Sequence, residues 1–151
     1  MTDRFNIIEG SPKKDCLGNF VGWDDCGVGY GTLWTHGIGP CLAITIYDEV
    51  RKMGALAHIS GAKRGIPKMF SPEKIVETLY QRLEEPSGLT ATLSGESRIE
   101  DKISEIVKRE LKNLNIPIVG EDLGDTTIGR SVYLHCNSGE VEVYRYQELE
   151  D

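Results

Sequence analysis

Two side chains with nucleophilic and basic chemistry lie in neighbouring apolar segments of the chain. Cys41 follows a glycine-containing stretch at 35–40 and precedes the apolar run 42–48. His58 comes 17 residues later, inside a second apolar run at 55–59. A cysteine thiol becomes a strong nucleophile when a neighbouring base takes its proton, and histidine is the commonest such base. If the two runs are adjacent strands, this spacing indicates a nucleophilic cysteine site.

Each of these residues also has an ordinary structural interpretation. A lone cysteine is most often a small buried apolar residue, and a lone histidine on an apolar strand is most often a core residue. His36 could serve as a spare base, although its glycine-rich turn is expected to be exposed. His135 and Cys136 are adjacent on a predicted strand, so their side chains point to opposite faces and cannot form one site.

The charge and hydropathy patterns exclude several classes of partner. Acidic side chains outnumber basic ones by 24 to 17, and the net charge of −7 argues against nucleic acid or an anionic membrane surface. No segment approaches the roughly 20 apolar residues that span a bilayer, and the first residues lack a signal-peptide pattern. We therefore expect a cytoplasmic protein without membrane insertion.

The length and the cysteine pattern set further limits. A chain of 151 residues can bury one core, so we expect a single domain over 1–151, with weak structural signals in 1–27 and an acidic tail at 147–151. The four cysteines form no CxxC pair, and no spacing demands a metal from His36, Cys41 and His58. Neither a metal nor a cofactor is expected.

Periodicity predicts a mixture of strands and helices. Alternating apolar residues predict strands at 5–8, 32–34, 42–48, 55–60, 89–93 and 116–119, and a hairpin of 130–136 and 140–146. Helical spacing predicts one helix after the Ser71 cap, ending near Glu84, and a second over 99–114. Because strands outnumber helices and two helices must cover one sheet face, the sequence predicts an α+β layered domain.

The range 121–125 is polar and acidic, which predicts a loop. Asp122 and Asp125 in this loop, together with Arg130 shortly after it, are expected to be solvated charges. The alternative is that these three side chains shape a substrate groove.

A series of short motifs extends from about Val28 to Arg145. They are Leu33-x-Thr35-x-Gly37-Ile38-Gly39-x-Cys41, Ala43-x-x-x-Tyr47-Asp48, Gly54-Ala55-Leu56-Ala57-His58-Ile59, Ile116-Pro117-Ile118-Val119-x-Glu121-Asp122-Leu123-Gly124, Gly129-Arg130-Ser131-Val132 and Gly139-Glu140-Val141. In this order they resemble the CheD family of chemoreceptor glutamine deamidases.

The resemblance implies a fold, a reaction and partners. The fold is a layered α/β/β sandwich, similar to the catalytic domains of deamidating toxins such as cytotoxic necrotizing factor. The reaction is hydrolysis of a glutamine side-chain amide on a chemoreceptor to glutamate with release of ammonia, and the same chemistry allows glutamyl methyl ester hydrolysis. The implied partners are the cytoplasmic domains of chemoreceptors and a CheC-type phosphatase.

The resemblance also implies roles for individual residues. Cys41 would be the nucleophile, His58 the base, and Thr35 the hydroxyl that orients the imidazole. Backbone N–H groups of the turn, at Gly39 and Cys41, would bind the oxyanion. The sequence does not indicate which residues bind the substrate.

Three segments depart from the family pattern. Pro40 stands where the family usually has serine, and proline has no N–H to offer an oxyanion. Ser94-Gly95-Glu96-Ser97 replaces a glycine–glycine–alanine segment, and the stretch around 98–100 is shortened. The alternative functions are therefore a catalytically weak binding module that docks on a receptor or phosphatase, and a thiol hydrolase with a different substrate.

Overall fold

A computed structural model of the chain describes residues 4–11, 18–22, 24–38, 41–59, 72–84, 88–95, 103–124 and 128–147. Within these ranges the chain forms ten strands and two helices. They are β1 (Phe5–Glu9), β2 (Asn19–Phe20), β3 (Asp25–Gly29), β4 (Thr32–Thr35), β5 (Leu42–Asp48), β6 (Met53–Ile59), α1 (Pro72–Arg82), β7 (Leu89–Gly95), α2 (Ile103–Asn113), β8 (Ile118–Leu123), β9 (Ile128–His135) and β10 (Glu140–Gln147).

The strands form two five-stranded sheets. Sheet A has the order β1-β10-β9-β4-β2, and sheet B has the order β3-β6-β5-β7-β8. The antiparallel β9–β10 hairpin lies inside sheet A, with β1 pairing parallel to β10 at one edge. In sheet B the central strand β5 pairs antiparallel with β6 and β7, and β8 adds a parallel edge.

The alternating residues of β5 supply two separate cores. Leu42, Ile44 and Ile46 pack with the buried side chains of α1 and α2, so both helices cover one face of sheet B. Ala43 and Tyr47 point the other way and pack with side chains of sheet A. The layers are therefore helices, sheet B and sheet A, which confirms the predicted α+β class and α/β/β sandwich.

The predicted loop at 121–125 is wrong for its first three residues, because β8 extends from Ile118 to Leu123. The strand pairs parallel with β7, and the register shifts between Ala91 and Thr92. The polar composition of this range suggested solvent exposure, but Asp122 is only 8% exposed. Asp125 lies outside the described residues.

The other predicted elements agree with the structure to within a few residues. Helix α1 begins at Pro72 with Glu73 in its first turn and Arg82 in its last, as expected for a helix dipole. The predicted start of the second helix, at 99–102, lies outside the described residues. The short strands β2 and β3 were not predicted. Neither of the helices in the described ranges has the length and apolarity needed to cross a membrane.

Candidate functional site

A hydrogen bond between the two sheets marks the candidate site. Thr35 Oγ1, on β4 of sheet A, lies 2.8 Å from His58 Nδ1, on β6 of sheet B. Both side chains are 0% exposed. When Nδ1–H donates to the threonine hydroxyl, the ring is held in one orientation and Nε2 becomes the basic nitrogen. The structure thus brings the predicted base and its predicted orienting residue into contact.

Cys41 lies beside this pair. It directly precedes β5, in which Ala43 is paired with His58 of β6. Cys41 and Ala43 belong to the same core between the sheets, so both point to the face that carries His58. Cys41 is therefore diagonal to His58 across an antiparallel pair, where Cβ atoms are about 7 Å apart and long side chains can meet.

The turn before Cys41 is held by backbone contacts. Gly37 has a φ of +75°, a conformation that favours glycine. The next residue, Ile38, donates its N–H to the carbonyl of Arg130 at 3.1 Å. Gly95, on the neighbouring strand β7, has a φ of +103°. A Cβ at this position would collide with the Cys41 carbonyl oxygen and the Ile38 side chain. The predicted oxyanion residue Gly39, and Pro40, lie outside the described residues.

A buried ion pair connects the sheets near the same turn. Arg130 of β9 is 0% exposed, and its Nε donates to Asp122 Oδ2 of β8 at 2.9 Å. Its second guanidinium nitrogen donates to the Gly124 carbonyl at 2.6 Å. The expectation that Asp122 and Arg130 are solvated loop charges is therefore wrong. Since the Arg130 carbonyl also holds Ile38, one residue links the ion pair to the turn.

Local composition predicts an acidic loop around Asp122 and gives no sign of this ion pair. Only the pairing of β8 with β7 shows that the Asp122 side chain points between the sheets. A second arginine, Arg145, places its Nε 3.5 Å from the same Asp122 oxygen. Both Asp122 and Arg130 occur in the motifs of the family resemblance, which was the available signal.

The remaining thiols differ from Cys41 in surroundings. Burial raises the pKa of the Cys136 thiol to about 11. Burial also raises the pKa of Cys26, and the nearby Arg82 guanidinium opposes that rise. Cys16 lies outside the described residues. Of the two described thiols, neither Cys26 nor Cys136 has a histidine placed by strand register as His58 is placed for Cys41.

The other two histidines lie on the outer face of sheet A. His135 is 3.1 Å from Thr32 Oγ1 and 2.7 Å from Glu142 Oε1, whereas Cys136 is buried between the sheets. His36 is exposed and stacks on the ring of Phe20. In the described part of the chain, no three His, Cys, Asp or Glu side chains are grouped closely enough to hold a metal ion. The candidate chemistry is therefore that of a thiol, an imidazole and a hydroxyl, the parts of a nucleophilic acyl-transfer site.

Comparison with known proteins decides the family. A family model described as CheD chemotactic sensory transduction matches residues 77–145. A Pyrococcus horikoshii protein named "Probable chemoreceptor glutamine deamidase CheD" is 33% identical to this chain, over 81% of the chain and 87% of its own length. The chain belongs to the CheD family.

Further CheD relatives come from archaea and bacteria. The Pyrococcus abyssi protein of the same name is 34% identical over 78% of this chain and 83% of its own length. A Halalkalibacterium halodurans protein named "Chemoreceptor glutamine deamidase CheD" is 28% identical over 67% of this chain and 75% of its own. The family resemblance found in the motifs is confirmed. The CheD family model matches only the part of the chain after His58, so the candidate site rests on geometry.

The buried ion pair gives a prediction about stability. Asp122→Leu leaves the buried guanidinium of Arg130 without this carboxylate, and removing one partner of a buried pair lowers the free energy of unfolding by about 3–5 kcal/mol. The double variant Asp122→Leu/Arg130→Met removes both charges of the buried pair and should lose much less. Urea unfolding at neutral pH measures both values.

A surface ion pair between Lys108 of α2 and Glu121 of β8, the strand that carries Asp122, is the control. Lys108 and Glu121 lie 2.9 Å apart and are each 41% exposed. Glu121→Gln should change the free energy of unfolding by about 1 kcal/mol or less. An Asp122→Leu protein that unfolds at the same urea concentration as Glu121→Gln would show that the buried pair does not join the sheets.

Proposed function

We propose that this CheD-family chain is a cysteine hydrolase that deamidates glutamine side chains in the cytoplasmic region of a chemoreceptor. The observation that carries the proposal is the hydrogen bond from His58 to Thr35 beside Cys41. The family also supports the proposal, because relatives of the chain are named chemoreceptor glutamine deamidases or probable ones. The substrate would be the primary amide of a receptor glutamine, and the products glutamate and ammonia.

The first half of the proposed reaction forms a thioester. His58 Nε2 takes the proton of the Cys41 thiol, and the thiolate attacks the Cδ carbonyl carbon of the glutamine. The backbone N–H of Cys41 stabilises the resulting oxyanion. The imidazolium then gives its proton to the amide nitrogen, the C–N bond breaks, and ammonia leaves.

The second half returns the enzyme to its starting state. His58 takes a proton from a water molecule, and the hydroxide attacks the thioester carbonyl. The C–S bond breaks, the imidazolium of His58 gives its proton to the leaving sulfur of Cys41, and the product is glutamate. With a glutamyl methyl ester the same steps apply and methanol is the leaving group.

The burial of the site fits chemistry away from bulk water. Cys41 is 1% exposed and His58 is 0% exposed, so the substrate side chain must enter the space between the sheets at this end. Exclusion of water strengthens the hydrogen bonds and charges that act on the reacting atoms. Strands β4 and β6 and the start of β5 hold the reacting groups, and such rigid elements keep catalytic geometry better than loops.

The family resemblance completes the proposal with a location and a regulatory partner. The protein would act in the cytoplasm, where it meets the cytoplasmic domains of chemoreceptors. A CheC-type phosphatase would be its partner in the same signalling system. Family membership is the support for both statements.

Ammonia release tests the proposed reaction. The protein is incubated with a chemoreceptor cytoplasmic fragment, and released ammonia is measured together with the mass of the fragment, which rises by about one dalton for each glutamine converted. Cys41→Ala should reduce the rate by about 10³-fold or more, because the nucleophile is lost. Cys26→Ala, which removes a thiol outside the site, should keep the wild-type rate. Equal release by the wild type and Cys41→Ala would contradict the proposal.

The role of Thr35 gives a second prediction. Thr35→Val keeps the shape of the side chain but removes the hydroxyl that accepts from Nδ1, so kcat should fall about tenfold or more with little change in KM. Thr35→Ser keeps a hydroxyl and should retain most of the activity. Steady-state kinetics of the two variants measure the difference. Equal kcat values for valine and serine would show that the imidazole is oriented by other contacts.

Thiol reactivity gives a third prediction. With a pKa of about 11, the Cys136 thiol has about one part in ten thousand as thiolate at pH 7, so alkylation should be slow. Cys41, activated by His58, should react first with iodoacetamide, and His58→Ala should slow that reaction. Mass spectrometry of peptides from briefly alkylated native protein locates the label. Labelling of Cys41 no faster than Cys136 would favour a binding role over catalysis.

A further inference from the structure

Ser94 is a buried polar residue that takes no part in the proposed reaction of Cys41, His58 and Thr35. It lies on β7, its side chain is 1% exposed, and its hydroxyl has no hydrogen-bond partner among the residues that the structure describes. A buried hydroxyl without a partner destabilises a folded protein, and its persistence calls for an explanation. An alanine would fill nearly the same space without that penalty.

The strand register places Ser94 in a row of residues across sheet B. His58 is paired with Ala43, Ala43 with Ser94, and Ser94 with Asp122. Paired residues point to the same face, so this row faces sheet A. His58 is bonded to Thr35 and Asp122 to Arg130, both from sheet A, whereas Ala43 has no polar side-chain atom. Ser94 is thus the one hydroxyl in the row without a described partner from sheet A.

The same register places Ser94 next to the proposed nucleophile. Cys41 precedes Ala43 by two residues and shares its face. His58 on β6 and Ser94 on β7 are both paired with Ala43, so they are diagonal to Cys41 on its two sides. Diagonal Cβ atoms are about 7 Å apart, so the thiol and the serine hydroxyl are close enough to contact the same substrate amide.

We propose that Ser94 binds the side-chain amide of the substrate glutamine and selects amides over esters. This inference rests on the proposed function. The amide NH₂ group has two donors, and the Ser94 hydroxyl accepts from one of them while His58, on the opposite side, delivers the proton to the departing nitrogen. A methyl ester has no N–H, so it cannot donate the hydrogen bond that the Ser94 hydroxyl accepts from the amide.

The stability of a Ser94 variant separates this role from a structural one. Ser94→Ala should unfold at the same urea concentration as the wild type or a higher one, because it removes a buried polar atom that has no partner. Thr92 is the matched control, because it lies on the same strand and face as Ser94 and its buried hydroxyl has a partner. The hydroxyls of Thr92 and Thr45 are 2.5 Å apart. Thr92→Val breaks that bond and should unfold at a lower urea concentration while the amide preference stays unchanged.

The decisive experiment uses the full chain and a receptor fragment that carries either glutamine or the γ-methyl ester of glutamate at the target position. For Ser94→Ala, kcat/KM for the amide should fall about tenfold, the loss expected for one hydrogen bond. In a Cys41→Ala background, Ser94→Ala should weaken binding of the glutamine fragment by a similar factor and leave binding of the ester fragment unchanged. Ser94→Gly also lacks the hydroxyl and should show the same selective loss.

The outcomes separate the two proposals. If the wild type deamidates the fragment and Ser94→Ala has the same kcat/KM for the amide, the role of Ser94 is overturned and the proposed function stands. Equal losses on amide and ester also overturn it, because the hydroxyl then does not act through the amide N–H. A lower unfolding midpoint for Ser94→Ala overturns it as well, because that result assigns the hydroxyl a structural partner. Absence of deamidation by the wild type overturns the proposed function and with it this inference.

Discussion

Polar side chains buried between two stacked sheets need hydrogen-bond partners, and the opposite sheet is one source of them. At one end of the sandwich this requirement is met by Thr35 with His58 and by Arg130 with Asp122. Each pair joins one strand of sheet A to one strand of sheet B, so together they fix how the sheets lie on each other at that end. The register of sheet B places Cys41 near its proposed base, and the contact between the sheets supplies the hydroxyl that orients the imidazole.

Arg130 makes contacts at this end of the sandwich through both its side chain and its backbone. Its guanidinium holds Asp122 and the Gly124 carbonyl, while its own carbonyl accepts the N–H of Ile38 in the turn that leads to Cys41. The turn is further confined by Gly95, where any side chain would displace the Cys41 carbonyl. The proposed nucleophile is therefore positioned by the packing of the two sheets, and the same contacts that stabilise the fold keep the candidate site in place.

The residues of the buried row on sheet B (His58, Ala43, Ser94 and Asp122) differ in what they contribute to stability and to the proposed chemistry. Asp122 and the Nδ1 atom of His58 are bonded to side chains of sheet A, and these bonds help to fix how the two sheets pack. The Ser94 hydroxyl has no such partner in the described structure, so serine at this position stabilises the free protein less than alanine would. A residue that is unfavourable in the free protein is expected where a ligand supplies the missing partner.

The sequence by itself determined the elements whose signals are local. Alternation identified β5 and the β9–β10 hairpin, helical spacing identified α1, and the motifs identified the CheD family. Sequence spacing also singled out Cys41 and His58. Tertiary structure alone decided that β8 continues through Asp122, that this carboxylate pairs with Arg130, and that Ser94 lies beside Cys41. Burial and register depend on strands distant in sequence, and a polar residue in a buried ion pair has the same local pattern as one in a solvated loop.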